Sequence, residues 1–312
     1  MLAFVIRRLL TFIPMLLFLS FAAFVLSYYG PGDPIRLIMG ENWTSDEVYQ
    51  SLRHQYGLDR PLLVQFGDYL WHALQGDFGR SYIQRVSVGE MIGNAAPVSA
   101  QLTLAAIVLI AVVGIGLGIV AALWHHRWPD ATIGVFGVLL HSVPAFVLAP
   151  VVMVLLVLEL DLISTPTGWH GIFSIQTLVA ASIISAGPLL GVIRQTRSSV
   201  VDVLSQDYVR TARANGLREW HILVFHVLRN SLAPVTTSLG LTLGYLLGGS
   251  IFVESAFAIP GLGQLFFSAI RTSDYPLLTG ATLVSAFWIM LMNLIVDVIY
   301  GLLDPRVRLG HD

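Results

Sequence analysis

Residues 98–123 read VSAQLTLAAIVLIAVVGIGLGIVAAL, 26 positions without an ionisable side chain. A helix rises about 1.5 Å per residue, so about 20 apolar residues cross a hydrocarbon core about 30 Å thick. A helix that is apolar all round belongs in lipid or in the centre of a large protein. Working outward, about five more windows have the same character: Leu9–Tyr29, Ile133–Leu158, Ile172–Ile193, Leu232–Phe252 and Leu277–Leu302. The whole chain, 312 residues, is 55% hydrophobic and 12% charged, with a mean hydropathy of +0.76. A soluble domain carries about a quarter charged residues. The expectation is an all-α integral membrane protein with six transmembrane helices.

An Arg or Asp at the centre of a spanning helix costs about 2.5–3.5 kcal/mol, so charge belongs in the connections. Arg7 and Arg8 precede the first window, Arg127 lies between the second and third, and Arg194, Arg197, Arg210, Arg213, Arg218 and Arg229 fill or flank the stretch between the fourth and fifth. Arg306 and Arg308 follow the last. An even number of crossings puts all of these on one side, which the arginine bias makes cytoplasmic, with both termini there. The first window is too long for the apolar region of a signal peptide and reads as a retained anchor. There is no Cys and no Lys, which excludes disulfides, thiolate chemistry and cysteine-held metals.

The expected division is an anchor helix over 1–30, an external helical loop over 31–97, a spanning core over 98–302 and a cytoplasmic tail over 303–312. In the external loop Thr44 and Glu47 have capping-box spacing, and Val48, Leu52 and Tyr56 recur every fourth residue. Gly57 and Pro61 should end that helix, and a second should run from Leu62 to Leu74 and stop at Gly76.

Within the bilayer, Gly240, Gly244 and Gly248 recur at four-residue spacing, as do Gly114 and Gly118, which lets a neighbouring helix approach closely. The same glycine face of the fifth window would also suit a helix that slides in a transport cycle. Pro144 and Pro150 interrupt the third window, and His141 beside them is an intramembrane polar group, expected near the inner end with a structural hydrogen bond. Glu159 and Asp161 are expected at an outer interface, and Asp297 near the inner end of the last window. Glu254 enters the Pro260-Gly261-Leu262-Gly263 stretch and is a candidate for a pore mouth.

The connection over 194–229 is too long and too patterned to be a mere linker. Asp207 is placed as an N-cap, Tyr208–Asn215 as a short helix presenting Arg210, Arg213 and small Ala side chains outward, and Gly216 as a left-handed terminator. A second helix runs from Trp220 to Arg229. Small residues flanked by Arg suit insertion into a groove on another protein.

This connection resembles the coupling loop of ABC importer permeases. Against the general form, Glu-Ala-Ala then Gly then Ile-x-Leu-Pro, only Ala212, Gly216 and Leu228 match. The dipeptide, oligopeptide, nickel and glutathione subfamily fits better: Asp207-Tyr208-Val209-Arg210-Thr211-Ala212-Arg213-Ala214-Asn215-Gly216 and His226-Val227-Leu228-Arg229-Asn230 resemble its motif. The stretches Pro31-Gly32-Asp33-Pro34, Tyr56-Gly57-Leu58-Asp59-Arg60-Pro61, Gly76-Asp77-Phe78-Gly79, Asp274-Tyr275-Pro276 and Leu303-Asp304-Pro305-Arg306 look like its other landmarks, in order. The long external loop resembles the B-type permease of the pair.

The resemblance implies a type I ABC importer permease fold, in a bacterial inner membrane, with Asp207, Tyr208, Arg210, Thr211, Ala212, Arg213, Ala214, Gly216 and Leu217 as the coupling segment. It implies a second homologous permease, two ATPase subunits and an external solute-binding protein as partners, and no nucleic acid. The chain has no phosphate loop of the Gly-x4-Gly-Lys type, so ATP and magnesium are expected on the ATPases, with no cofactor or metal here and no enzymatic activity. The alternative is a secondary transporter driven by an ion gradient, which usually shows internal repeats and midplane charges; neither stands out. The motifs of intramembrane serine and zinc proteases are also absent.

Overall fold

A computed structural model describes residues 2–29, 35, 46–55, 57, 59–162 and 168–303. The expected capping residue Thr44, the motif residues 31–34, Tyr56, Leu58, Asp304, Pro305, Arg306 and Arg308 lie outside the described residues. The side chains of Arg7, Arg8 and Asp297 and the surroundings of Gly248 do so too.

The described residues are helical almost throughout. The order is α1 (Leu2–Tyr29), α2 (Asp46–Gln55), α3 (Leu62–Leu74), α4 (Val88–Leu123), α5 (Trp128–Ser142) and α6 (Ala145–Met153), the last running into a π-helical turn, Val154–Glu159. Then come α7 (Ile175–Leu204), α8 (Asp207–Ala214), a short turn Glu219–His221 with a π-helical stretch Ile222–Leu228, α9 (Arg229–Ala256), α10 (Leu262–Thr272) and α11 (Tyr275–Leu303). Among the described residues three helices are long and apolar enough to cross a membrane: α4, α7 and Tyr275–Ile295 of α11. Two bent pairs raise that to five, and Leu10–Leu26 of α1 is a shorter apolar helix.

The third window is not one helix. α5 and the helix over Ala145–Glu159 meet at 95°. Pro144 has no N–H to donate to the Leu140 carbonyl, and it drives Val143 into extended backbone (φ −97°, ψ 115°). The fourth window is longer than its apolar run. α7 starts at Ile175, where Ser174 Oγ accepts from Thr177 N at 3.2 Å, and continues through Arg194 and Arg197 to Leu204. All of 194–204 is therefore helix and not loop, because Thr196, Ser199 and Val200 are buried on the same face as Val192 and Ile193.

The chain divides into two compact units, Met1–Val5 with Ala100–Ile259 and Leu291–Asp312, and Ile6–Ser99 with Pro260–Met290. In the second unit Phe66 and Tyr69 of α3 pack on Phe21 and Phe24 of α1, with ring centroids 5.1–5.7 Å apart. Val88, Ile92, Ala95, Leu262, Ala269 and Leu277 form its core. Asp274 is buried there. Its carboxylate accepts from Ser81 Oγ and from Tyr82 N at 3.1 Å. Two of the sequence landmarks thus meet: the residues around Gly79 and those around Asp274. The described ends of the external helices agree with expectation, with Gly57 and Gly76 in left-handed conformations (φ 65° and 83°).

The first unit is held by small residues. Val192 lies against Gly114, and at Gly118 an added Cβ would sit 2.5 Å from Thr196 Cβ and 2.9 Å from the Ile193 carbonyl. At Gly137 it would meet Leu190 Cδ1 at 2.6 Å. These glycines set how closely α4 and α5 approach α7. Backbone cannot yield cheaply, so Gly118→Val should destabilise the chain by about 1–3 kcal/mol. Gly116 meets nothing within 4 Å, so Gly116→Ala is the control. Thermal unfolding in detergent should show a lowered midpoint for Gly118→Val alone; equal midpoints would refute this account of α4–α7 packing.

Candidate functional site

α8 is eight residues long, too short to be stable by propensity alone. Its stability comes from one face. Val209 and Ala212, three apart, are buried against Ala122 at the end of α4, Val200 of α7, and Ile222 and Val227 of the π-helical stretch. Ile119, Leu204, Leu223 and Leu228 close around them. Asp207, Tyr208, Arg210, Thr211, Arg213 and Ala214 are exposed on the other face. Two local expectations need correction. Gln206 and not Asp207 is the N-cap, without a side-chain bond, so Asp207 stands in the first turn where a carboxylate meets the positive end of the helix. Ala212 points inward, because only a small side chain fits that close to the seat; Ala214 points outward.

The helix ends as its glycine requires. Gly216 has φ +76°. Its N–H donates to Arg213 O at 2.9 Å, and Leu217 N–H donates to Ala212 O at 3.3 Å, the paired return of a Schellman ending. The polar face is tied to the next turn and to the root of α9. Arg213 grips Glu219 through Nε (2.9 Å) and Nη2 (3.3 Å), and Asn230 Nδ2 at the start of α9 donates to Tyr208 Oη at 3.0 Å. Arg210 and Asp207 form an open pair at 3.6 Å. Such exposed pairs are worth about 0–1 kcal/mol, so the apolar face holds the segment and the ion pairs orient it.

A second polar knot lies at the head of α5. Arg197 of α7 donates to both oxygens of Asp130 at 2.6 and 2.7 Å, and its Nη2 donates to His125 Nδ1 at 2.9 Å. A guanidinium only donates, so His125 accepts at Nδ1 and carries its proton on Nε2. His126 N–H also reaches Asp130 Oδ2 at 3.0 Å. A sequence signal for this knot exists: an Asp in the first turn after one short connection and an Arg just beyond the next apolar window. Only the helical continuation of α7 brings them together.

Of the other candidates, Gly240 is buried in α9, and at Gly244 an added Cβ would lie 2.7 Å from Asn293 Oδ1 of α11, which is helix packing. Glu254 is fully buried at the end of α9. Leu262 N–H donates to Ser99 Oγ at 2.8 Å, so the Pro260–Gly263 stretch starts α10.

A carboxylate at position 209 would be desolvated without a partner, so Val209→Asp should cost about 3 kcal/mol or more and release α8. Limited trypsin digestion reads this directly: cleavage after Arg210 and Arg213 should rise strongly over the wild-type chain. Unchanged cleavage would show that the buried face does not hold the helix.

Residues 114–309 match the family described as "Binding-protein-dependent transport system inner membrane component", and residues 1–103 match its N-terminal membrane component. The glutathione transport system permease protein GsiC of Salmonella typhimurium (strain LT2) is 41% identical over 315 residues, covering 99% of each chain. That of Escherichia coli (strain K12) is 40% identical over the same coverage. Among solved structures, the inward-facing MetNI methionine ABC transporter superposes with a TM-score of 0.56 over 69% of this chain and 96% of that one, at 15% identity, which speaks for the fold alone. The chain belongs to the family of binding-protein-dependent transport system inner membrane components: it is a membrane permease of an ATP-driven importer.

Proposed function

We propose that this permease passes peptides or similar small polar solutes inward and that Asp207–Leu217 is where separate ATPase subunits push on it. The observation that carries the reading is the seat of α8. Its apolar face touches the ends of α4 and α7 and the π-helical start of α9, while its polar face is open. A partner that displaces α8 therefore moves three elements together. The peptide-class solute is supported by the glutathione permeases at 41% identity.

In this reading two ATPases bind ATP and magnesium, and no cofactor sits on this chain. A second homologous permease completes the passage, and an external solute-binding protein delivers the ligand. The arginine bias of the short connections puts α8 and both termini on the cytoplasmic side of a bacterial inner membrane crossed by six spans, and 31–97 outside. Closure of the ATPases would drive α8 and switch the spans between two arrangements, a coupling of two distinct sites through one bistable element.

Gly216→Val tests the assignment. A β-branched residue at φ +76° is strained by about 1–3 kcal/mol, so the Schellman ending and the Arg213–Glu219 link should distort. In the reconstituted transporter, ATP-driven uptake should fall about tenfold or more, and stimulation of ATP hydrolysis by loaded binding protein should be lost. Gly216→Asn, which tolerates the left-handed region, should retain most of both. Wild-type uptake and stimulation in Gly216→Val would refute the coupling role.

A further inference from the structure

Polar atoms at bilayer depth are tolerated where they are buried in protein or face water. α5 stops at Ser142, and His141, Ser142, Val143 and Pro144 are all exposed. His141 stands 13 residues into α5, about 20 Å from its start. The break leaves the last carbonyls of α5 without helical partners, that of Leu140 through Pro144 itself.

Two side chains converge beside this break. His141 Nδ1 donates to the Gly187 carbonyl of α7 at 2.8 Å. The carbonyl can only accept, so the neutral ring carries its proton on Nδ1 and offers Nε2 as an acceptor. Tyr245 of α9 is 64% exposed, and its Oη lies 3.9 Å from the position that a Cβ on Gly187 would take. Both side chains thus meet α7 at Gly187. Tyr245 belongs to an exposed line on α9 at helical spacing, Asn230, Pro234, Leu241 and Tyr245, whose first member holds Tyr208 of the coupling segment.

Resting on the importer reading, we propose that His141 Nε2, the freed carbonyls at the end of α5 and Tyr245 Oη form a solute contact in the passage. The acceptors, at the negative end of a helix, take ammonium or amide N–H groups of a peptide-like solute. The Tyr245 hydroxyl donates to its carbonyl or carboxylate oxygens.

The chain has no Cys, so single cysteines report without background. His141→Cys and Tyr245→Cys, each in the full transporter in membrane vesicles, should react with a charged methanethiosulfonate applied on both sides, because the thiolate forms only in water. In Tyr245→Phe and His141→Ala, the ratio of labelled dipeptide taken up to ATP hydrolysed should fall about tenfold, one lost hydrogen bond to the solute. Absence of labelling at both positions with and without ATP, or a wild-type ratio in both variants, overturns the proposal. Labelling of both cysteine variants, together with no ATP-driven uptake by the wild-type complex, would instead sink the importer reading and leave the water-lined face standing.

Discussion

The packing of Val209 and Ala212 onto Ala122, Val200, Ile222 and Val227 is the contact on which the shape of α8 depends. An eight-residue helix with one apolar face cannot hold its shape alone. Seated, it becomes a rigid handle on the ends of two long helices and the root of a third. The arginines, although they dominate the sequence pattern, are solvated and contribute direction more than stability. This ranking comes from magnitude: burying one Val is worth about 1.5–3 kcal/mol, several times an open ion pair.

The bilayer imposes the second constraint. Without water, a helix break must satisfy its freed backbone groups from protein or from an aqueous channel. α5 breaks at Pro144 on an exposed face, whereas α7 carries Pro188 without stopping. The difference is local. α7 is flanked on its buried side by α4 and α5 through Gly114, Gly118 and Gly137, which leave no room for it to bend. α5 has no comparable neighbour at Val143 and Pro144.

Much of this is legible in the sequence because membrane physics leaves few options. Long uncharged windows, glycine spacing and the C-terminal ends of α2, α3 and α8 come from one-dimensional rules, and Gly57, Gly76 and Gly216 adopt the left-handed backbone that their positions imply. The errors share a cause. Hydropathy ends the fourth window at Ile193, but Thr196, Ser199 and Val200 extend its buried face, and periodicity outweighs polarity there. Ala212 reads as outward-facing when small residues are assigned to a partner's groove, yet its smallness is needed by the chain's own core. Contacts such as Arg197–Asp130 and Asp274–Ser81, 67 and 193 residues apart, join residues that no single helical or hydropathy period pairs.

In the proposed coupling, a push on α8 reaches the spans through the π-helical stretch Ile222–Leu228. It lies between the coupling helix and α9, and its wider turn packs less tightly than an α-helix, so it is the most deformable part of that path. Ile222 and Val227, both buried, anchor it to α8, while Tyr208 and Asn230 bridge across it at 3.0 Å. A displacement of α8 is thus delivered to α9 at Asn230 beyond the soft segment and is not dissipated within it. From Asn230 to Tyr245 the helix is continuous through Pro234 over about 22 Å, so it links the two residues along its length. The glycine contacts at the α4–α7 interface are too tight to slide without strain, so the compliant route runs through α9.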